Sequence, residues 1–354
     1  MVMQHDGDAS AALLEHVNHA LNSSTALRIQ GGNSKAFLGR NVEGEVLDTR
    51  AHRGIVSYDP TELVITARAG TPLAELEAAL DAAGQMLTCE PARHGDAATV
   101  GGMLATGLSG PRRPWSGAVR DLVLGTRLIT GTGKHLRFGG EVMKNVAGYD
   151  LSRLLAGSFG CLGVITEVSL KVLPKPRQCL SLRLEMDAAL ALRKLAEWGQ
   201  QPIPLSAASH DGGALHLRLE GGEGSVMAAR ERLGGELIKP AYWDDLREQR
   251  LDFFATPGPL WRLSVPTSTD VLALPGDQLI DWGGAQRWLK SDADAALIRQ
   301  LATEVGGHAT CFTAGHCDSP FHPLSPPLLR YHQQLKAQLD PQGIFNPGRL
   351  YSEV

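Results

Sequence analysis

The sequence predicts an α+β protein in which a first half of alternating strands and short helices precedes a smaller α+β unit of ferredoxin-like order. Three observations predict it. Apolar and β-branched runs separated by turn residues recur from 26 to 173. The segment LPKPR (173–177) then interrupts the pattern with two prolines, each of which fixes its own φ and pushes its predecessor out of the helical region. Beyond it the order becomes strand, helix, strand, strand, helix, which fits a ferredoxin-like cap.

In the first half, GIVSYDPTELVITARAG (54–70) reads as two strands around an Asp59-Pro60 turn. Thr71 reads as an N-cap with Pro72 at the first helical position. Leu73, Leu76 and Leu80 share one face of that helix, which ends near Gly84. After the boundary, CLSLRLEM (179–186) and ALHLRLEG (214–221) alternate apolar and polar residues, so each is predicted to cover a core with one face and meet water with the other. DAALALRKLAEW (187–198) and the stretch from Ser225 to Leu233 supply helices, and His210-Asp211-Gly212-Gly213 a hairpin turn. Ser291 and Asp294 open a helix carrying Leu297, Ile298, Leu301 and Val305. Ser325-Pro326 opens another bearing Leu328, Leu335 and Leu339.

Composition narrows the function. With 34 basic against 38 acidic residues and a net charge of -4, the chain lacks the electrostatic footprint of a nucleic-acid binder. It shows no apolar run of transmembrane length and no basic start before an apolar stretch, so a cytoplasmic protein is expected, with docking to the inner membrane face through partners left open. Five cysteines form no CxxC pair, which points to reduced thiols and no iron–sulfur spacing.

Three glycine-rich segments are the chemical candidates. GGNSK (31–35) follows the strand-like ALRIQ (26–30). It is either an ordinary turn or an anion nest in which backbone N–H groups converge on a pyrophosphate, with Ser34 and Lys35 adding a hydroxyl and a charge. ATVGGMLATGLSGPRRPWSGAVRDLVLG (98–125) reads as a long loop of small residues that leaves room for a planar ring system, or packs tightly for structural reasons alone. Val119, Leu122, Val123 and Leu124 begin a buried strand after it. NVAGYDLSRLLAGSFGCLGVITEVSLKVLPKP (145–176) reads as a helix from Tyr149 to Leu155, a tight loop at 157–160, and a strand over 163–173 whose edge is free to read an adenine. No GxGxxG follows a strand, and GTGK (131–134) lacks both the earlier glycine and the hydroxyl residue of a P-loop.

In this order, TVGG (99–102), DLVLG (121–125) and FGCLGVITE (159–167) resemble the FAD-binding domain of the p-cresol methylhydroxylase/vanillyl-alcohol oxidase (PCMH) type, over about residues 26 to 176. The resemblance implies a two-subdomain PCMH-type domain at 1–175, a cap at 176–305 and a C-terminal helical segment at 306–354 that returns to the first domain. It implies FAD contacts from Gly31, Gly32, Asn33, Ser34 and Lys35; from Thr99, Val100, Gly101, Gly102, Ala105, Thr106 and Gly110; and from Gly157, Ser158, Gly160, Gly163, Val164 and Ile165. Where covalent members carry a histidine, Asn33 stands here, and an amide cannot form that bond; the FAD is therefore expected to be non-covalent. HPLSPPLLRYHQQLKAQLDPQGIFNPGRLY (322–351) is similar to the end of FAD-binding accessory subunits of bacterial glycolate oxidases.

That resemblance implies a subunit of a glycolate (2-hydroxy acid) oxidase that works beside a catalytic FAD sister subunit and an iron–sulfur subunit. A stand-alone D-2-hydroxy acid (D-lactate) dehydrogenase and a non-catalytic assembly subunit stay open as alternatives. No catalytic residue is assigned. Arg112 and Arg113 either clamp a substrate carboxylate or are solvated. His316, Cys317, Asp318 and His322 have the wrong spacing for a metal site, and none is expected.

Overall fold

A computed structural model describes residues 7–141 and 150–354. The chain divides into two compact units. The first comprises Met1–Leu108, Ala118–Pro174 and Pro323–Val354; the second comprises Ser109–Gly117 and Lys175–His322.

The first unit holds a five-stranded antiparallel sheet in the order Ile55–Asp59, Val64–Arg68, Val164–Lys171, Val123–Ile129, His135–Gly139. The predicted turn at Asp59 forms, its carboxylate accepting from the amides of Thr61 and Glu62. Helices Leu73–Ala82 and Val100–Thr106 cover the sheet. Leu73, Leu76, Leu80, Met103 and Leu104 sit in one core with Ile65, Val168 and Leu170. Thr71 does not cap the first of these helices. Its hydroxyl pairs instead with the backbone of Gly54, and Pro72 occupies the cap. Beside the sheet, a parallel pair of strands, Leu27–Gln30 and Glu45–Asp48, packs under the helix Ser10–Ser23.

The stretch from 98 onward is less loop-like than its glycines predict. Thr99 accepts from the Gly102 amide and starts the helix Val100–Thr106, which ends at Gly107 in the left-handed region. Val119–Leu122 is a short helix, and the strand begins only at Val123. The strand Val164–Lys171 lies in the middle of its sheet, so the free edge expected for it does not exist. Of the predicted helix before it, Leu151–Leu154 is helical and Tyr149 lies outside the described residues.

The second unit contains one eight-stranded antiparallel sheet. Its first four strands follow the order Glu236–Leu237, Gln178–Glu185, Ala214–Gly221, Leu205–His210, the ferredoxin-like arrangement, with helices Ala188–Trp198 and Glu223–Leu233 on one face. The sheet then continues through Asp277–Asp281, Gln286–Lys290, Leu260–Ser264 and His308–Cys311, joined at the His210 and Ile280 pair. His308–Cys311 belongs here, so the chain returns to the first unit at Pro323 and not at 306. Ala214–Gly221 is buried on both faces: His216 stacks on Tyr242 at 4.2 Å, and Arg218 lies 5.4 Å from the Trp243 ring centroid. An alternating pattern does not separate a wet face from one covered by aromatics. Asp294 caps the helix Ala295–Glu304. Leu297 and Leu328, predicted to pack, are exposed, whereas Ile298, Leu335 and Leu339 do pack.

No helix among the described residues is long and apolar enough to cross a membrane.

Candidate functional site

Within the first unit a solvent-open cleft of about 260 Å³ is lined by parts of all three glycine-rich segments: Gly31 to Ala36, then Thr99, Gly101, Gly102, Ala105 and Thr106, then Phe159, Gly160, Gly163 and Ile165. Small residues are needed because the segments touch. A Cβ on Gly32 would lie 1.4 Å from the Ala97 carbonyl oxygen, and one on Gly31 would lie 2.4 Å from Thr99 Oγ1. Asn33 adopts φ +56, a left-handed conformation that asparagine tolerates better than most side chains.

The cleft is rich in backbone donors. The amides of Gly31, Gly32, Asn33 and Ser34 donate to no acceptor among the described residues. Four successive N–H groups left without a protein acceptor form a concavity suited to phosphate oxygens, and they would otherwise carry a desolvation cost. Lys35 is buried at its side; its ammonium donates to Ser34 Oγ and to the Arg93 carbonyl, both at 3.3 Å. The residues present therefore fit a dinucleotide: a pyrophosphate on the amides of 31–34, and flat ring systems along the small residues at 101, 102, 105 and 163.

Several predicted contacts lie elsewhere. Val100 and Val164 point into packed cores. Gly163 and Ile165 flank Val164 and line the cleft, as alternation along a strand requires. Gly157 and Ser158 belong to the loop before Phe159 but do not line the cleft, and the buried Ser158 hydroxyl has no hydrogen-bond partner among the described residues. Gly110, Arg112 and Arg113 fall in the second unit. The Gly110 carbonyl accepts from the Trp282 indole at 3.0 Å. Arg112 grips Glu220 through both terminal nitrogens, one of them at 2.8 Å to Oε1, so its fork is committed to a protein carboxylate. Burial raises the Glu220 pKa, but Arg112 and Arg218 outweigh it and hold the carboxyl below the usual range. Arg113 lies over the Trp282 ring, 4.3 Å from its centroid. His322 accepts from the Ala309 amide through Nδ1, and His316 packs against the Trp261 ring. No cluster of three or more potential metal ligands occurs among the described residues.

The sequence reading missed the C-terminal contribution. Asn346 and Arg349 line the cleft. Asn346 Oδ1 accepts from the Ile29 amide at 2.7 Å and its Nδ2 donates to the Phe159 carbonyl at 2.6 Å, tying the first strand to the 157–160 loop. Gly160, at φ +74, passes 2.7 Å from that amide nitrogen at its would-be Cβ. Arg349 donates to the carbonyls of Ala36, Leu38 and Arg40 and so closes the turn after the glycine loop. Lys336, buried, donates to the carbonyls of Cys161 and Phe345 and pairs with Asp340 at 2.8 Å; Asp340 in turn accepts from the amides of Ile344 and Phe345. The available signal was NPGR (346–349), polar residues among turn formers, which names no partner by itself.

Residues 9–139 match the family model described as an FAD binding domain. The chain is 64% identical over 352 residues to glycolate oxidase subunit GlcE of Escherichia coli (strain K12), covering 99% of this chain and 100% of that protein. Glycolate oxidase subunit GlcD of Bacillus subtilis (strain 168) is 34% identical over 41% of this chain and 32% of its own length. D-Lactate dehydrogenase of Anaerostipes hadrus is 39% identical over 36% of this chain and 26% of its own. A solved structure of alkyldihydroxyacetonephosphate synthase aligns with a TM-score of 0.67 at 18% identity, covering 96% of this chain and 75% of that one, which shows a shared fold. FAD is accordingly the cofactor, and the chain an FAD-dependent oxidoreductase component.

Proposed function

Because the chain belongs to the GlcE family of glycolate oxidase subunits, we propose that it holds FAD in the cleft of its first unit and serves, together with sister subunits, in the oxidation of glycolate to glyoxylate. The observation that carries the reading is the run of four acceptor-less amides at 31–34 inside a cleft lined by three side-chain-poor segments. Bound FAD supplies the acceptor for a hydride leaving the hydroxyl-bearing carbon. The chain's own part is to fix the dinucleotide: amides 31–34 take the phosphate charge, Lys35 adds a positive field, and Thr99 holds the first turn of the helix that borders the cleft. The FAD is non-covalent in this reading, since Asn33 offers no nucleophile for a flavin bond. Acid denaturation is expected to release all flavin, and fluorescence retained on a denaturing gel would contradict it.

The receiver of the electrons is proposed to be a partner, with a sister FAD subunit and an iron–sulfur subunit completing the enzyme. Five cysteines without a CxxC pair support a carrier outside this chain. Co-purification of the tagged chain followed by flavin and iron counts tests this. The expected result is one FAD per chain, iron in the co-purified fraction, and bleaching by glycolate. Turnover by the isolated chain would favour a stand-alone dehydrogenase, and a complex whose GlcE-type chain lacks flavin would make it an assembly subunit.

A further inference from the structure

The cleft around the glycine loop is lined by three cations, Arg28, Lys35 and Arg349, and by no aspartate or glutamate among the described residues. The chain as a whole carries a net charge of -4, so this concentration of positive charge is local. Two of the three cations are committed to the protein. Lys35 is buried and donates to Ser34 Oγ and the Arg93 carbonyl, and Arg349 directs its guanidinium to the carbonyls of Ala36, Leu38 and Arg40.

Arg28 is not committed. Its side chain is exposed and forms no hydrogen bond or ion pair with any described residue. In the strand Leu27–Gln30, Leu27 and Ile29 pack on the core under the helix Ser10–Ser23, so alternation turns Arg28 and Gln30 to the other face, and both line the cleft. At about 3.3 Å per residue, Arg28 stands about 10 Å along the chain from Gly31, the first of the four acceptor-less amides. Arginine is long enough to cover much of that distance. Burial holds the Arg349 guanidinium below its ordinary value, and the nearby Arg28 cation lowers it further. Like charges facing one cleft repel each other, and a bound anion removes the repulsion.

We propose that Arg28 closes on a phosphate of the bound dinucleotide and makes the cleft select a diphosphate-bearing ligand over a flavin without phosphate. The assignment rests on the reading that FAD occupies this cleft. The amides of 31–34 are fixed in their loop, whereas a guanidinium on a flexible stem adds two parallel donors and a full charge once the ligand is in place. Because Arg28 has no protein partner to lose, its removal weakens ligand binding and leaves the fold intact. Arg349 is the opposite case, since its removal frees three carbonyls that hold the turn after the loop.

The test uses the full chain freed of flavin. Arg28→Gln is expected to raise the dissociation constant for FAD about tenfold, with Arg28→Lys recovering part of the loss. ADP, which carries the diphosphate and no flavin, is expected to displace FAD from the unmodified chain and to lose the same factor in Arg28→Gln. Riboflavin, which carries no phosphate, is expected to lose nothing. The unfolding midpoint of the flavin-free chain should stay in place for Arg28→Gln and fall for Arg349→Gln. The assignment is overturned by unaltered FAD affinity in Arg28→Gln, by ADP that fails to compete or competes equally well with both chains, by riboflavin losing as much as FAD, or by an unfolding midpoint that falls as far as in Arg349→Gln. The underlying reading fails separately. Gly32→Val retaining FAD at native affinity removes the cofactor from the cleft, whereas loss of FAD in Gly32→Val beside an indifferent Arg28→Gln keeps the cleft and removes the phosphate contact alone.

Discussion

The two units are built from opposite materials. The first builds its cleft from main chain: Gly31, Gly32, Asn33 and Ser34 contribute amides, and the residues around them are kept small so that the loops approach one another. The second is held by side chains, among them the buried Arg112 and Glu220 pair. Closely approaching main chain tolerates no added atom, while a buried side-chain pair is broken by removing one. Substitutions should therefore act in opposite directions in the two units.

The largest expected effect follows from Gly32→Val. Its Cβ would overlap the Ala97 carbonyl, so the glycine loop must move and bound FAD should fall at least tenfold, read as the ratio of flavin to protein absorbance, with the far-ultraviolet dichroism of the fold retained. Full flavin occupancy in this variant would break the comparison. Next comes Arg112→Gln, which leaves Glu220 buried with a single remaining cation, Arg218, at 3.5 Å. A loss of about 3 kcal/mol or more is expected in denaturant unfolding of the second unit, at unchanged flavin content, and the apolar pair Arg112→Met/Glu220→Leu should recover most of it. Since the folded-state pKa of Glu220 is depressed, the pair's contribution is present at neutral pH and fades as pH falls through the acidic range. Smaller again is Asn346→Ala, which strips partners from the Ile29 amide and the Phe159 carbonyl and should cost about 1–3 kcal/mol together with a weaker grip on FAD. Smallest is Gly224→Ala, in a helix of the second unit where an added Cβ meets nothing within 4 Å; a gain of up to about 1 kcal/mol is expected, with no change in flavin.

The same contrast explains what was legible in the sequence. Glycines at 31, 32, 101, 102, 160 and 163 announce themselves because few other pressures place so many unsubstituted residues in succession, and all of them line the cleft. The turn at Asp59-Pro60, the hairpin at 210–213 and the helix opened by Ser325-Pro326 were readable for the same local reason. Val100 and Val164 were misplaced because a motif names a segment, while the direction of each side chain follows from helix or strand geometry. Asn346 was missed because its partners, Ile29 and Phe159, lie 317 and 187 residues away. The continuation of the cap sheet beyond four strands was likewise a matter of long-range pairing, joined at His210 and Ile280.

The stitching by Lys336, Asn346 and Arg349 carries a consequence for biogenesis. The polypeptide that fastens the flavin cleft is encoded after the whole of the second unit, from Pro323 onward. A nascent chain with only 322 residues emerged has its glycine loops but lacks the clasp that sets their spacing. Cofactor capture is thereby postponed until translation has passed the cap, and a ribosome stalled within the cap would display a flavin-free product.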